Sequence, residues 1–468
     1  MLERVFKLKE HNTTVGREVL GGVTTFATMS YILFVQPVIL SWAGMDKGAV
    51  FAATCIASAL STFLMAFLAN LPIALAPGMG ENVFFSVTVC GAVAAGGLGL
   101  SWQQALGAVL LGGSVIIVIS YFGLRAAVLN AIPRSIKNAI ALGIGLLIAA
   151  LGLEYAGILV PTLAGKPPFL HLGPLASKGV LLAICTFVFT FALSALRVRG
   201  AILIGIVGAG IVGYFMGIYQ WKGAEFASIS PTLFKFDIPG IFIQAPSLAS
   251  AFMVIFVLFF LDLFDSVGTL VGVGEQAGYI KEDGTMPKAR PALFSDAVGT
   301  VIGATMGTST ITSYVESAAG VAAGARTGLS SIVTGILMLL SLLIYPLVSM
   351  VGSGYVLKGA VVENGVPVAD AIIIYPAIAS AMLIVGCIMM ANAVKVNWQD
   401  WTEAIPAFCC VVIMAFTFSI SDGIGFAFVS YTILKAVTRR LREGHYMVYL
   451  FAAFFFLYFV LKYVFLLG

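Results

Sequence analysis

Charged residues are the scarcest class in this chain. Asp, Glu, Lys and Arg make up 10% of its 468 residues, against roughly 25% in a soluble globular protein, which excludes a soluble domain, a disordered chain and a coiled coil alike. There are three histidines, His11, His171 and His445, all in expected loops or near termini, so none is placed for a proton relay. The six cysteines, Cys55, Cys90, Cys185, Cys387, Cys409 and Cys410, sit in apolar runs without metal-ligand spacing and read as small buried hydrophobes rather than a disulfide framework. A net charge of +4 is too small to suggest a nucleic-acid partner. HExxH is absent, as are a GxGD-type aspartyl pair and a histidine to serve a serine nucleophile, and GVGEQAG at 272–278 does not match GxGxxG. The chain therefore reads as neither an enzyme nor a cofactor protein. Nor does the N-terminal MLERVFKLKEHNTT look like a cleavable signal.

What is abundant is apolar: 60% hydrophobic residues and a mean hydropathy of +1.06, with 51 glycines and 17 prolines scattered through them. This is an all-α polytopic membrane protein embedded in a lipid bilayer, with small residues for close helix approach and deliberate helix breaks. About 20 apolar residues cross the hydrocarbon. That rule predicts helices near 18–41, 49–70, 103–123, 136–160, 179–196, 201–219, 249–273, 328–350 and 371–391, and short apolar runs near 83–98, 291–306 and 313–325. The stretch 403–438 is interrupted at Ser421, Asp422 and Gly423, and a last run covers 446–467, so hydropathy leaves thirteen to fifteen crossings open. With the N-terminus in the cytoplasm, Arg125, Arg134, Lys137, Arg197, Arg199, Lys281, Lys288, Arg290, Arg326, Lys435, Arg439, Arg440 and Arg442 fall on one side, and the loops 161–178, 220–247 and 351–370 carry fewer cations on the other.

Two spans are defective. Ala76-Pro77-Gly78-Met79-Gly80-Glu81-Asn82 opens one short run, and Gly307-Thr308-Ser309-Thr310-Ile311-Thr312-Ser313-Tyr314-Val315-Glu316 opens another. Asn82 and Glu316 stand 234 positions apart, half the chain length. Paired, Gly-interrupted segments in corresponding places of two halves point to a transporter of inverted repeats with its site near the midplane. Extended backbone survives at that depth only where protein buries it or it lines a cavity. The residues before each half-helix are therefore expected to pair as short strands, with half-helix N–H groups near Gly80, Asn82, Ser313 and Tyr314 facing the cavity.

Carboxylates inside apolar runs cost ~2.5–3.5 kcal/mol each even on the lenient insertion scale, so those that persist face a cavity. Asp262 and Asp265 lie three apart on one helix face, their helix also presenting Ser266, Gly268 and Thr269, and Glu316 is expected one turn into the second half-helix. Asp265 and Glu316 are the foremost candidates for binding and proton coupling, with Asp262 read equally as partner or structural group. Glu81 reads equally as a capping carboxylate or a ligand contact. Glu154, Asp296 and Asp422 read as end caps or local pairs. Phe84, Phe85 and Tyr314 adjoin the half-helix starts, where a flat ligand would stack or a core would pack, and the aromatic run at 451–459 reads as lipid-facing.

The motifs GMGENVFF, LDLFDSVGTLVGVG and TSTITSYVESAAGVAAGARTGL identify a family resemblance: the chain is similar to the adenine, guanine and hypoxanthine permeases of the azaguanine-resistance-like branch of the nucleobase cation symporters. The likeness runs from FKLKEHNTTVGREVLGGVTTFATMSYI to DGIGFAFVSYTILK. It implies about fourteen transmembrane helices in two inverted seven-helix repeats, 1–235 and 236–468. Helices 1–4 and 8–11 would form a core, helices 5–7 and 12–14 a gate, and short strands would interrupt helices 3 and 10. The acid of the eighth helix corresponds to Asp265, that of the tenth to Glu316, and the polar position of the third to Asn82; many relatives carry an apolar residue at the position of Glu81.

The expected activity is import of a purine nucleobase across the cell membrane by H⁺ symport, with Na⁺ the alternative driving ion. Asp265, Glu316, Asn82, Gly80, Phe84, Thr269, Ser313 and Tyr314 would bind the purine, the carboxylates accepting its N–H groups. The alternatives are an anion transporter or channel on the same fold, which two acids at the site disfavour, and a uracil or xanthine permease. Small-residue faces such as GAVLLGG at 107–113 permit a homodimer.

Overall fold

A computed structural model describes residues 2–92, 97–121, 132–161, 170–221, 223–245, 247–279, 286, 288–358, 361–363, 366–369 and 372–460. Arg125, Lys281 and the end of the last apolar run, 461–467, lie outside them. In bilayer hydrocarbon every backbone N–H must be satisfied within its own segment, and the chain is accordingly built of apolar helices. Nine among the described residues are long and apolar enough to cross a membrane, and Ala201–Phe215, Trp401–Thr417 and Tyr446–Val460 are shorter apolar helices.

The first half comprises α1 (Val15–Met29), α2 (Ile32–Ser41), α3 (Lys47–Leu64), the strand β1 (Leu75–Pro77), the short helix α4 (Met79–Val83), α5 (Trp102–Tyr121), α6 (Arg134–Tyr155), α7 (Lys178–Ala195) and α8 (Ala201–Phe215). In the second half come α9 (Leu248–Gln276), α10 (Ala289–Met306), β2 (Ile311–Ser313), α11 (Ser317–Ala322), α12 (Gly328–Leu340), α13 (Pro376–Met389), α14 (Trp401–Thr417), α15 (Ile420–Val437) and α16 (Tyr446–Val460). Polar caps start many of them: Asp46 Oδ1 accepts from the Ala49 N–H at 2.7 Å, and Asp400, Ser177 and Ser419 cap α14, α7 and α15.

Two packing groups result. In one, α1 lies against α11 and α12, α3 against α10 and α12, and α5 against α9 and α10; in the other, α6 packs on α13 and α14, and α7 and α8 pack on each other and on α13. Glycine sets the closest approaches in the first group: a Cβ on Gly328 would stand 2.4 Å from the Ala66 carbonyl oxygen, and one on Gly21 would stand 2.5 Å from Ala325 Cβ.

Three features differ from the hydropathy reading. The predicted helix 18–41 turns at Ser30–Tyr31. The stretch 403–438 is two helices, α14 and α15, packed side by side and divided at Phe418, which takes a left-handed φ of 53°. The aromatic run of α16 is not simply lipid-facing: Phe455 is fully buried, and Phe451 and Phe454 lie 5.4 and 5.0 Å from the Phe256 ring of α9. Hydropathy cannot separate lipid from protein as a neighbour, because both are apolar.

Candidate functional site

The two interrupted spans meet. β1 and β2 pair antiparallel, Leu75 opposite Ser313, Ala76 opposite Thr312 and Pro77 opposite Ile311. The ladder is extended at both ends by Gly78 N–H to Thr310 O at 3.0 Å and Tyr314 N–H to Ala74 O at 2.9 Å. A two-strand sheet leaves its outer edges unpaired, and side-chain hydroxyls close them. Thr62 accepts from the Leu75 N–H (2.9 Å) and lies 3.2 Å from the Leu75 carbonyl. Ser317 Oγ accepts from the Ala74 N–H at 3.0 Å, Thr300 donates to Ile311 O at 2.9 Å, and Ser331 donates to Leu71 O at 2.8 Å and Ile73 O at 3.1 Å. Each orphaned group would otherwise cost about 1–3 kcal/mol. The backbone is thus held extended in the interior with its polar groups accounted for.

Around this junction the fold gathers carboxylates from both halves. Asp262 is buried and accepts from Thr300 at 2.8 Å and Ser266 at 3.3 Å. Asp296, expected as a local cap, lies fully buried in the same network. Its Oδ1 accepts from the Ser313 N–H and hydroxyl, both at 2.9 Å, and its Oδ2 accepts from Ser266. Glu316 heads α11 rather than sitting one turn into it, because the extended and turn residues run on to Glu316, and its Oε1 accepts from the Tyr31 hydroxyl at 2.7 Å, a contact made possible by the turn between α1 and α2. Glu81 is buried and folds back over its own helix start: a Cβ on Gly78 would stand 2.2 Å from its Oε2. Among the described residues no group of three or more His, Cys, Asp or Glu is arranged to hold a metal ion.

Asn82 sits in a buried amide cluster rather than at an open wall. It donates to Gln36 Oε1 and accepts from Ser309, while Gln36 Nε2 reaches Asn82 Oδ1 at 3.2 Å, Thr308 Oγ1 at 3.0 Å and Ser309 Oγ at 3.1 Å. The expected donor N–H groups of Asn82, Ser313 and Tyr314 are correspondingly spent on Gly78 O, Asp296 and Ala74 O. Tyr314 is buried, its hydroxyl donating to Pro77 O at 2.6 Å; Phe84 and Phe85 are core residues, and Gly80 lies against Ile144, 3.2 Å from the place a Cβ would take. Thr269 is buried one turn beyond Asp265. Gln36 and Tyr31 are residues that sequence reasoning missed, and Asp296 reads in the sequence only as a cap or local pair. Gln36 is a lone amide inside ILFVQPVIL, and that was the available signal.

Asp265 differs from its neighbours. Its side chain is exposed, and so are Gly268 and Gly272 on the same helix face. A Cβ on either glycine would meet nothing within 4 Å. Glu316 is half-buried and Val315 exposed, immediately before α11. Open space therefore adjoins α9 at Gly268 and Gly272, on the face that carries Asp265. At the opposite end of the bundle, Trp42 at the end of α2 meets Tyr155 at the end of α6 edge-on at 5.4 Å, Tyr155 meets Tyr375 at 4.9 Å, and Lys47 lies 5.2 Å over the Tyr375 ring. The two packing groups are therefore in contact on one side of the junction.

Helices interrupted by paired strands, with acids at the junction, define a membrane transporter. The chain belongs to the Permease family, whose model matches residues 16–363. It is 40% identical over 468 residues to the adenine permease AdeP of Escherichia coli (strain K12), covering 100% of this chain and 96% of that one. The guanine/hypoxanthine permease PbuO of Bacillus subtilis (strain 168) is 38% identical over 461 residues, covering 97% and 99%. Among solved structures, the transmembrane domain of a cyanobacterium bicarbonate transporter BicA matches with a TM-score of 0.60 at 16% identity, covering 88% of this chain and 97% of that one. SLC26A9 matches with a TM-score of 0.60 at 11% identity, covering 91% and 66%. These likenesses concern the fold alone.

Proposed function

We propose that this permease carries purine nucleobases (hypoxanthine, guanine or adenine) into the cell by H⁺ symport. The observation that carries the reading is the junction of β1 and β2, where Asp265 faces open space and Glu316 is half-buried. A purine presents ring and exocyclic N–H donors to such acceptors, and two carboxylates disfavour the inorganic anions that the fold neighbours' names suggest. Asp265 and Glu316 accept the N–H groups, Thr269 borders them, and Ser313 and Asn82 hold the strands on which the site is built. A proton is the simplest counter-charge for a carboxylate in a dry bundle, so Asp265 and Glu316, with Asp262 behind them, are the coupling groups. The packing group of α1–α3, α5 and α9–α12 then moves as the core against α6–α8 and α13–α15 as the gate, the repeats being 1–235 and 236–468. The N-terminus lies in the cytoplasm of a cell-membrane protein.

The test is uptake of radiolabelled hypoxanthine by proteoliposomes with and without a protonophore. Asp265→Asn and Glu316→Gln should each lose most of the uptake, and protonophore should abolish concentrative uptake by the wild type. Wild-type rates in both variants would refute the site; protonophore-insensitive, Na⁺-dependent uptake would refute the driving ion alone.

A further inference from the structure

A polar cavity lies where the start of α6 meets the segments joining α13 to α14 and α15 to α16; its volume is about 480 Å³. Its charges are Arg134, Lys395 and Lys435 against Glu403 and Glu443. Lys435 is almost fully buried and is bound to Glu443 at 2.7 Å; Glu443 also holds Arg440 at 2.7 Å, and Arg440 reaches Asp400 at 2.9 Å. Those four charges neutralise one another. Glu403 accepts from the Ser135 hydroxyl. Arg134 and Lys395 make no ion pair among the described residues, and their backbones adjoin: the Asn138 amide donates to the Arg134 carbonyl at 2.8 Å and to that of Lys395 at 3.5 Å. The lining is left one positive charge in excess.

Exposed apolar and aromatic side chains stand on the segments that form the cavity. Val394, next to Lys395, is 90% exposed, and Trp398, Trp401 and Tyr446 are exposed aromatics on the same segments. Exposed Trp and Tyr beside apolar helix ends mark the headgroup level of a bilayer, and a basic pocket between helix ends at that level suits an anionic headgroup. We propose that this cavity binds the phosphodiester of an anionic phospholipid, Arg134 and Lys395 pairing with its single negative charge while the acyl chains lie along Val394 and Trp401. Free inorganic phosphate shares the charge but not the apolar half of the contact, so the rim favours the lipid.

The experiment uses the full chain, purified and delipidated in detergent, with melting temperature followed as dioleoylphosphatidylglycerol, dioleoylphosphatidylcholine or inorganic phosphate is added. Phosphatidylglycerol should raise it saturably, and the other two should not. At about fivefold for each of the two cations, the Arg134→Gln/Lys395→Gln variant should need about 25-fold more phosphatidylglycerol for half the effect. Glu403→Gln keeps an acceptor for Ser135 and removes a negative charge, so it should need several-fold less; this variant decides the matter if the double variant does not fold. Equal effects of the two lipids, unchanged phosphatidylglycerol dependence in both variants, or reproduction of the shift by phosphate would each overturn the proposal. None of these readouts involves transport.

Discussion

Replacing Gln36 by Leu tests whether the strands are held by the buried amide cluster. Gln36 is fully buried, and its amide touches Asn82, Thr308 and Ser309, one residue from the first broken span and two from the second. Leucine fills nearly the same volume without polar atoms. After the change Thr308 keeps the Thr54 hydroxyl at 3.3 Å, and Asn82 Oδ1 keeps Ser309. The Asn82 Nδ2 donor loses Gln36 Oε1, its partner in this cluster. One orphaned buried amide donor costs about 1–3 kcal/mol, so Gln36→Leu should lower the apparent melting temperature in detergent by a few degrees. Because Asn82 and Gln36 act as a pair, Gln36→Leu and Asn82→Ala should be non-additive by about 1–2 kcal/mol in a double-mutant cycle of denaturant or thermal stability. On the proposed site, purine affinity should also fall with the single variant. Additivity within about 0.5 kcal/mol, together with unchanged melting and uptake, would show that the amide cluster does not hold the junction.

Other perturbations read other parts of the structure. Tyr31→Phe removes the 2.7 Å donor to Glu316 and should raise the purine KM several-fold in uptake assays with little loss of folded protein. Ser331→Ala strips the hydroxyl that serves two carbonyls, Leu71 O and Ile73 O, and should destabilise the protein by about 1–3 kcal/mol in thermal unfolding. Gly328→Val drives side-chain atoms into the Ala66 carbonyl, where even a Cβ would stand 2.4 Å away, and should cost about 1–3 kcal/mol or prevent folding, read as loss of monodisperse protein. At the solvent-facing end, hydrogen bonds from Arg440 hold both Asp400 and Glu443 down to about 2, Lys435 also assisting at Glu443. Depressed carboxylates stabilise above their ordinary range and lose that contribution as pH falls through the folded value. The wild type should therefore melt slightly higher than Arg440→Gln between pH 5 and 8, with the gap closing between about pH 4.5 and 2.

Much of the architecture was legible because its cause is hydropathy. The long spans, the two interrupted segments and the acids within apolar runs all follow from the cost of placing polar groups in hydrocarbon, and that cost is visible residue by residue. What escaped notice depends on which surfaces meet. Gln36 carries no charge, so it stood out less in its apolar run than Asp265 did in its own, although the fold gives it the larger set of partners. Asp296 follows the Arg290-Pro291 helix start closely enough to resemble a cap, yet its partners are Ser266 and Ser313 on other elements. Tyr31 reads as one aromatic among many until the turn at Ser30–Tyr31 brings it to Glu316.

The same distinction separates holding the strands from meeting a ligand. Asn82, Ser313 and Tyr314 have their polar groups engaged within the protein. A purine that displaced those bonds would have to repay each of them, at about 1 kcal/mol net or more, before gaining affinity. Asp265 is the opposite case: it is exposed, on a helix face where Gly268 and Gly272 leave open space. A rigid strand pair with its hydrogen bonds already made can hold one or two accessible carboxylates in fixed register without being rebuilt on every cycle. Binding energy then goes to recognising the ligand rather than to ordering the site, as preorganisation requires.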